Sequence, residues 1–461
     1  MCTTYLGWKI IMDLKEEGIE IEDFPRLIRL NPFARFKTRG NGAVSFKINL
    51  NNNENNNENN NIIKCNKNIN NINENNENKK NNNNEQNNKK NNEKQLKTIK
   101  IIKNIVKKNI DELSMIECKN TNPGVVFYEG EITKEMENYA LKAIHSIITI
   151  EEAEEFAAKI GAEIYKLKLG RGIIGSIAAI ACPLEDFTYE LLTYRIKENY
   201  GMKRQIDEKS VYLMNKKTYP NTFENIDNEY IAIEPHTSCP ILYGIRGESK
   251  EVLKIAKDLV KVNEEIQGYM IYKTNQHTDM HLKKIDKIVD MEKYGSYIVK
   301  GTVSQNPYVI EGGHVFFTLK DDYGKIKAAA FEPTKDFRKI IEKLKEGDIV
   351  ELYGGIGCGE SFNIEKIKII QLKKIIKYEN PICECGKRMT SAGSGKGFKC
   401  KNCGHRLRDG EKIAIEENRE LEENKFYETP VSARRHLAKP LVRFQNKDNL
   451  KKKVKRINKI F

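Results

Sequence analysis

The sequence predicts a multidomain α+β protein, and three observations carry that reading. At 461 residues, 39% of them hydrophobic, the chain can build three or four soluble cores. Apolar residues recur at helical spacing in ENYALKAIHSII and EEAEEFAAKIG, whereas NPGVVFYEG and YMIYK are short strand-like runs. Between 295 and 372 one short strand pattern follows another, separated by turn residues.

In chain order, residues 1–158 mix these helices and strands around an abrupt change of composition. From Asn51 to Lys97 there are 25 asparagines in 47 residues and little that could fill a core, which predicts a disordered, low-complexity insert at 51–97. Cys65 inside it has no neighbouring cysteine and is given no metal role. Residues 159–290 alternate strands with long helices. One of these is SKEVLKIAKDLVKV, with Val252, Leu253, Ile255, Ala256, Leu259 and Val260 on one face. Residues 295–372 supply SYIVKGTVSQ, HVFFTLKDD, KIKAAAFEPT, DIVELYGGIG and NIEKIKIIQL, with a helix, DFRKIIEKLKEG, before the fourth strand; that order suits a five-stranded OB-fold barrel.

Residues 380–410 predict a zinc ribbon. Cys383 and Cys385, then Cys400 and Cys403, flank the turn SAGSGKG, and Gly386 and Gly404 follow the two pairs, so four thiolates can surround one tetrahedral Zn2+. Four protein ligands leave no open position, which makes the site structural. GSGKG lacks the upstream glycine and the Ser or Thr of a phosphate-binding loop and is not read as one.

Residues 411–461 read as a basic C-terminal RNA-binding tail. From Val431 to Phe461 eleven Lys/Arg face one acidic residue, out of a whole-chain net charge of +14. Beside an RNA such a block neutralises phosphates, and Arg434, Arg435 and Lys439 open it. No apolar run approaches the eighteen or so residues of a membrane helix, and no secretory signal is visible, which predicts a cytoplasmic protein.

Two polar clusters carry binding chemistry. In EPHTSCPILYGIRGES, Pro235, Pro240 and Gly244 bend the chain around His236, Thr237 and Ser238, and Arg246 follows between two glycines; backbone donors with one guanidinium suit a phosphate or a planar base. Thr274, Asn275, Gln276, Thr278 and Asp279 follow YMIYK and read equally as a binding loop or a polar turn capping a helix. His277, Asp279 and His281 read as that turn rather than a metal site. Near the N-terminus, KTRGNGA sets Lys37 and Arg39 beside Gly40, Asn41 and Gly42, a backbone cradle that phosphates can approach, or a plain glycine turn.

With KTRGNGA, NPGVV, GRGIIGSIAAIA followed by DFTYELLTYR, the two clusters, GGHVFFTL, AAAFEPTKDFR, the cysteine ribbon and PVSARRHLAKPL in that order, the chain resembles the archaeal isoleucine-tRNA 2-agmatinylcytidine synthetase family over nearly its whole length outside the insert. The resemblance implies a kinase-like α/β domain that binds ATP at 1–158 and a ferredoxin-like agmatine-binding domain at 159–290. It implies ATP-dependent joining of agmatine to the 2-carbonyl carbon of the wobble cytidine in the CAU-anticodon isoleucine tRNA, with ATP, Mg2+ and Zn2+ as cofactors and no protein partner.

By the same resemblance Thr3 is the residue that becomes phosphorylated. Thr4, Lys37, Arg39, Gly40, Asn41 and Gly42 serve the ATP phosphates. Arg246, Glu248, Thr274, Asn275, Asp279, Arg171, Gly172 and Glu190 line the agmatine site, with Asp279 and Glu248 toward its guanidinium. The family commonly carries glycine where His277 stands, so this histidine reads as incidental. The aspartate-rich segment that opens family members is not seen before MCTT. The expectation is an upstream start, and the alternative is a non-catalytic tRNA-binding protein.

Overall fold

The computed structural model describes residues 2–35, 37, 40–50 and 77–444. The chain forms two compact units: residues 1–283 together with the segment from 434 onward, and residues 284–433.

The first unit is organised by a six-stranded sheet in the order Gly42–Ser45, Arg26–Arg29, Ile266–Thr274, Thr188–Arg195, Ile241–Gly247, Thr222–Phe223. Arg26–Arg29 runs parallel to Ile266–Thr274, and the other pairings are antiparallel. Successive side chains of a strand face opposite ways, and TYELLTYR is buried on both faces because both are covered. Leu191 and Ile271 join Val211 and Met214 of the helix Glu208–Thr218 and Leu253 and Ala256 of Lys250–Leu259. On the other face Leu192, Tyr194 and Tyr272 pack under Trp8 of the N-terminal helix Thr3–Glu16. Gly268 is needed there, because a Cβ would come within 2.5 Å of the Trp8 ring.

The predicted amphipathic helices form as Lys134–His145 and Ile150–Lys159. Thr133 and Thr149 cap them by accepting from the Met136 and Glu152 amides, each cap contributing about 1 kcal/mol. They pack through Tyr139, Ala140, Ala143, Ala153 and Ala157 on the apolar helix Gly172–Ala181. The division drawn at 158/159 does not separate two sheets. Arg26–Arg29 and Gly42–Ser45 extend the sheet formed by residues 188–274, and no local pattern reveals a parallel pairing between strands so distant in the chain.

The insert also differs from expectation. Residues 51–76 lie outside the described residues, but Glu77–Leu113 is one helix, so 77–97 is helical rather than disordered. Its C-terminal half puts Ile102, Ile105, Val106, Ile110 and Leu113 against Leu6, Ile10 and Leu14 of the N-terminal helix, and Asn109 Nδ2 donates to Asp13 Oδ2 at 2.8 Å. Once that packed half exists, each further turn adds a hydrogen bond per residue without a new nucleation cost.

The second unit begins with the barrel. Ser296–Val309 pairs with both Val315–Lys320 and Ile349–Ile356, and Lys325–Ala330 closes the ring by a parallel pairing to Phe362–Gln371. The helix Asp336–Glu342 precedes the fourth strand, as predicted, and its Phe337 and Ile341 enter the core with Val303, Phe317, Leu352 and Ile367. The ribbon follows as three short strands, Thr390–Ser391, Phe398–Lys399 and Arg406–Leu407.

The stretch read as a tail from 411 is largely folded. Ile413–Glu416 pairs with Ile376–Glu379, and Phe426–Glu428 adds to the barrel strand Phe362–Gln371. From Arg434 the chain belongs to the first unit, and the lysine-rich block after Phe444 lies outside the described residues.

Candidate functional site

In the first unit, strand ends and turns bring charged side chains into one recess. Glu190, in the middle strand and 2% exposed, accepts from Arg246 Nε at 3.1 Å and from Gln276 Nε2 at 2.5 Å, and lies 3.6 Å from Arg29 Nη2. Arg29 Nη1 in turn donates to the Gly40 carbonyl at 2.9 Å, so the carboxylate holds a guanidinium that holds the KTRGNGA loop. A side chain at Gly40 would strike that guanidinium, its Cβ 2.3 Å from Nη1. A second buried carboxylate, Glu224, pairs with Arg434 Nη1 and His277 Nε2, both at 2.8 Å, and with Arg246 Nη1 at 3.7 Å.

The segment 434–444 is a strap across this region. His436 and Leu437 carbonyls accept from the His277 and Asp279 amides at 2.8 and 2.9 Å. Asp279 Oδ1 accepts from the Lys439 amide at 2.7 Å, and Lys439 Nζ meets Asp186 at 3.0 Å. Arg443, 4% exposed, is bracketed by Glu248 and Asp186, with Nη2 at 3.1 and 3.0 Å from them, and also donates to the His277 carbonyl. The Arg435 guanidinium stacks 4.1 Å over the Phe33 ring. Lys and Arg are buried only when paired, and here the pairing is built in.

The electrostatics follow from these contacts. Burial pushes the Glu224 carboxyl up, but His277, Arg434 and Arg246 outweigh it and hold it well below the usual carboxylate range. Burial likewise opposes the charge of Glu190, and Arg246 and Arg29 keep it ionised. Burial lowers the His277 imidazole more than Glu224 raises it, with Arg246 and Arg434 adding to the depression. A neutral imidazole bonded to a carboxylate through Nε2 must carry its proton there, which leaves Nδ1 as a buried acceptor without a partner. Arg29 Nε and Gln276 Oε1 are also buried and unpartnered.

The residues expected at phosphates divide. Thr3 begins the N-terminal helix, and Thr4, buried, has its hydroxyl 3.2 Å from Cys2 Sγ while its carbonyl accepts from Tyr272 at 2.6 Å. A helix start favours an anion, which suits a phosphorylated Thr3. Lys37 donates to the Pro32 carbonyl, and burial followed by Arg435 lowers its ammonium. Asn41 has φ +36° and ties its side chain to the Asn31 carbonyl at 2.7 Å, while Gly42 pairs with Arg29. Arg39 lies outside the described residues.

Among the residues expected at agmatine, Arg246 and Glu190 belong to this charged cluster, and Asn275, Thr274, Gly172, Glu248 and Asp279 make contacts within the fold. Asn275 clamps the Arg29 backbone through Oδ1 at 2.8 Å and Nδ2 at 3.0 Å; Thr274 is buried and accepts from the Gln276 amide at 3.1 Å. Gly172, beside Arg171 at the helix start, packs so closely that a Cβ would lie 2.5 Å from the Gly124 nitrogen. Glu248 and Asp279 are engaged by the strap. Arg434 and Lys439 are engaged there as well, with carboxylates instead of an open surface.

Sequence reasoning missed Arg29 and Glu224, named Gln276 only as part of a polar loop, and treated His277 as incidental. His277 is 1% exposed with φ +59°, a conformation that favours glycine, and its hydrogen bond to Glu224 holds it there. The readable signal was an arginine at each end of the short run RLIR, Arg29 two residues before Asn31-Pro32.

In the second unit Cys383, Cys385, Cys400 and Cys403 place their sulfurs within 4.8 Å of one another, among the described residues the one such ligand group. Cys383 and Cys403 are 3.4 Å apart, Cys385 and Cys400 3.5 Å, a spacing that a tetrahedral ion with four sulfur ligands fits. No helix of the described residues is long and apolar enough to cross a membrane.

A barrel of OB topology and a four-thiolate ribbon, joined in one chain to a separate α/β unit with a buried charge cluster, define a multidomain protein of the nucleic-acid-binding class. Family models make the assignment specific: the TiaS TCKD domain matches residues 1–169, the TiaS FLD domain 170–281, an OB-fold nucleic acid binding domain 297–368 and the TiaS C-terminal zinc ribbon domain 380–421. The chain belongs to the TiaS family. It is 41% identical over 446 residues to the isoleucine-tRNA 2-agmatinylcytidine synthetase TiaS of Archaeoglobus fulgidus, covering 96% of this chain and 94% of the relative. The Pyrococcus horikoshii protein of the same name is 40% identical over 454 residues, covering 97% and 95%. Among solved structures, apo TiaS superposes with TM-score 0.79 at 40% identity, covering 97% of this chain and 95% of that one. A complex of TiaS with its isoleucine tRNA, AMPCPP and agmatine superposes with TM-score 0.75 at 38% identity, covering 97% and 94%.

Proposed function

We propose that this chain joins agmatine to C2 of the wobble cytidine of the CAU-anticodon isoleucine tRNA at the expense of ATP. The observation that carries this reading is the recess itself: Arg246 and Arg29, both oriented by Glu190, stand beside the Gly40–Gly42 loop in a chain that matches TiaS proteins along its length.

The carbonyl oxygen at C2 is a poor leaving group, and phosphorylation converts it to one that departs as phosphate. Charge develops on the phosphoryl oxygens during transfer, and fixed guanidiniums stabilise it without reorganising. Arg29 and Arg246 serve that purpose because Glu190 holds both in place. Thr3, at the start of its helix, is the phosphate-accepting hydroxyl in this reading. The barrel and ribbon grip the tRNA. A structural Zn2+ held by Cys383, Cys385, Cys400 and Cys403 keeps the ribbon folded. The Mg2+ that accompanies ATP has no ligand set in the recess among the described residues, since Glu190 and Glu224 are already bonded to Arg246, Arg29, Gln276, His277 and Arg434. A tRNA substrate implies a cytoplasmic protein.

The test is direct. The purified chain, ATP, Mg2+, labelled agmatine and the CAU-anticodon isoleucine tRNA should give ATP-dependent label in the tRNA, and none with a methionine tRNA. Binding of the tRNA without label would support the non-catalytic reading instead.

A further inference from the structure

We propose that the loop 235–240 of the first unit holds a phosphodiester of the bound tRNA, with backbone amides as its donors and the Arg204 guanidinium beneath it as its charge. The inference deepens the synthetase reading above and rests on it for the choice of RNA.

The sequence pairs this loop with Arg246, but in the structure Arg246 belongs to Glu190 and Glu224, and a different arginine lies under the loop. Arg204, 8% exposed, donates through Nε to the Ile241 carbonyl at 2.9 Å and through Nη1 to that of Pro235 at 2.8 Å. Its Nη2 reaches the Thr237 and Cys239 carbonyls at 2.8 and 3.4 Å, and Cys239 Sγ at 3.4 Å. Every one of these acceptors is neutral, and among the described residues no carboxylate pairs with Arg204. Its hydrogen bonding is met and its charge is not, whereas an arginine buried this deeply is ordinarily paired.

The peptide bonds of the loop are trans, and in a trans peptide the carbonyl of one residue and the amide of the next point in opposite directions. With the Pro235 and Thr237 carbonyls turned in to Arg204, the His236 and Ser238 amides turn out, and His236 and Ser238 are the exposed residues of the loop. Among the described residues neither amide has an acceptor, nor do those of Thr237 and Cys239. Each of the two peptide dipoles therefore has its negative end on the guanidinium and its positive end at the surface, which passes the buried charge outward to a pair of donors. An anion placed there meets both N–H groups and supplies the counter-charge that Arg204 lacks. Against the one acidic residue of the segment 234–240, Glu234, stand Arg204 and the exposed Lys203.

The position of the loop selects the source of the phosphate. It stands at the start of the strand Ile241–Gly247, and Arg246 is near that strand's end. At about 3.3 Å per residue the two are about 20 Å apart. The triphosphate of ATP, read above as held at Arg29 and Arg246, does not span that separation. A polynucleotide does, with a phosphate at every residue, and exposed amides suit a backbone contact that positions the strand without reading its bases.

The test uses the full chain and the CAU-anticodon isoleucine tRNA. Ser238→Asp puts a carboxylate at the exposed loop, and Ser238→Asn is its neutral counterpart of the same shape. Ser238→Asp should weaken tRNA binding by about 10-fold at ~0.1 M salt and lower the slope of log affinity against log salt by about 0.7, the value for one single-strand phosphate. Ser238→Asn should stay within about twofold of the wild type, and both variants should bind AMPCPP as the wild type does. Ethylation of single tRNA phosphates should reveal one position that weakens the wild type and leaves Ser238→Asp unaffected. Arg204→Met should lose the same salt slope; circular dichroism checks its fold, and where it does not fold Ser238→Asp decides alone. Unaltered tRNA binding by Ser238→Asp, equal weakening by Ser238→Asn, or a loss confined to AMPCPP overturns the proposal. A wild-type chain that binds this tRNA without labelling it overturns the synthetase reading and leaves the phosphate site standing.

Discussion

A buried ion pair in one unit and a buried charge network in the other are built differently. In the second unit Asp348 and Arg419 form a bidentate pair at 2.6 and 2.9 Å, and both carboxylate oxygens and both Nη atoms have second partners: Asp348 accepts from the Lys345 and Lys373 amides, and Arg419 donates to the Lys343 and Lys373 carbonyls. In the first unit Glu190 and Glu224 share Arg246, with Arg29 on one and Arg434 and His277 on the other, and Arg29 Nε, Gln276 Oε1 and His277 Nδ1 remain unpartnered. A saturated pair fixes a fold. An unsaturated network keeps charge and hydrogen-bonding capacity for a ligand, and a buried polar atom left without a partner costs about 1–3 kcal/mol until one arrives.

The four-thiolate ribbon is the extreme of saturation, and the largest effect is expected there. Cys400→Ser should abolish binding of one zinc per chain and unfold the ribbon, since structural zinc contributes on the order of 10 kcal/mol to small domains; atomic absorption and protease sensitivity between 380 and 421 check it. Asp348→Ala should cost about 3–5 kcal/mol in urea unfolding, because it leaves a buried guanidinium unpaired, while kcat of the folded fraction at saturating tRNA stays at the wild-type value.

Glu190→Gln should invert that pattern. Arg29 and Arg246 lose their shared charge and their orientation, so agmatine conjugation should drop by about 10²–10³-fold, the scale of losing a preorganised electrostatic donor. If Glu190→Gln lost only stability and kept full activity, the contrast between the two pairs would fail.

The smallest effect is that of pH. The carboxyls of Glu190 and Glu224 are held below their ordinary values, so their contribution is complete above about 4.3 and is lost as pH falls through the depressed values. His277 and His436 are lowered from about 6.5, so their neutral forms favour the folded state above that pH, and stability declines as acidification forces them to charge. Unfolding free energy should therefore begin to fall below about pH 6.5 and fall further below about pH 4.3, and His277→Asn should flatten the first decline.

What the sequence determined by itself is local. The strand runs of the barrel, its helix before the fourth strand, the capped helices Lys134–His145 and Ile150–Lys159, and the four cysteines are each written in a period, a cap or a spacing of a few residues. The recess was legible only in pieces: Arg246, Glu190 and the Gly40–Gly42 loop were named, but not that one carboxylate joins them. What the tertiary structure decided is non-local. Arg26–Arg29 pairs with Ile266–Thr274, a strand from the far side of the unit's sequence, and a run that reads as a basic tail returns to bury Arg443 between Asp186 and Glu248. The physical reason is the same in both cases. Strand alternation says which face is buried but not which strand is the neighbour, and an arginine's solvation cannot be judged until its carboxylate partner, far away in the chain, is in place.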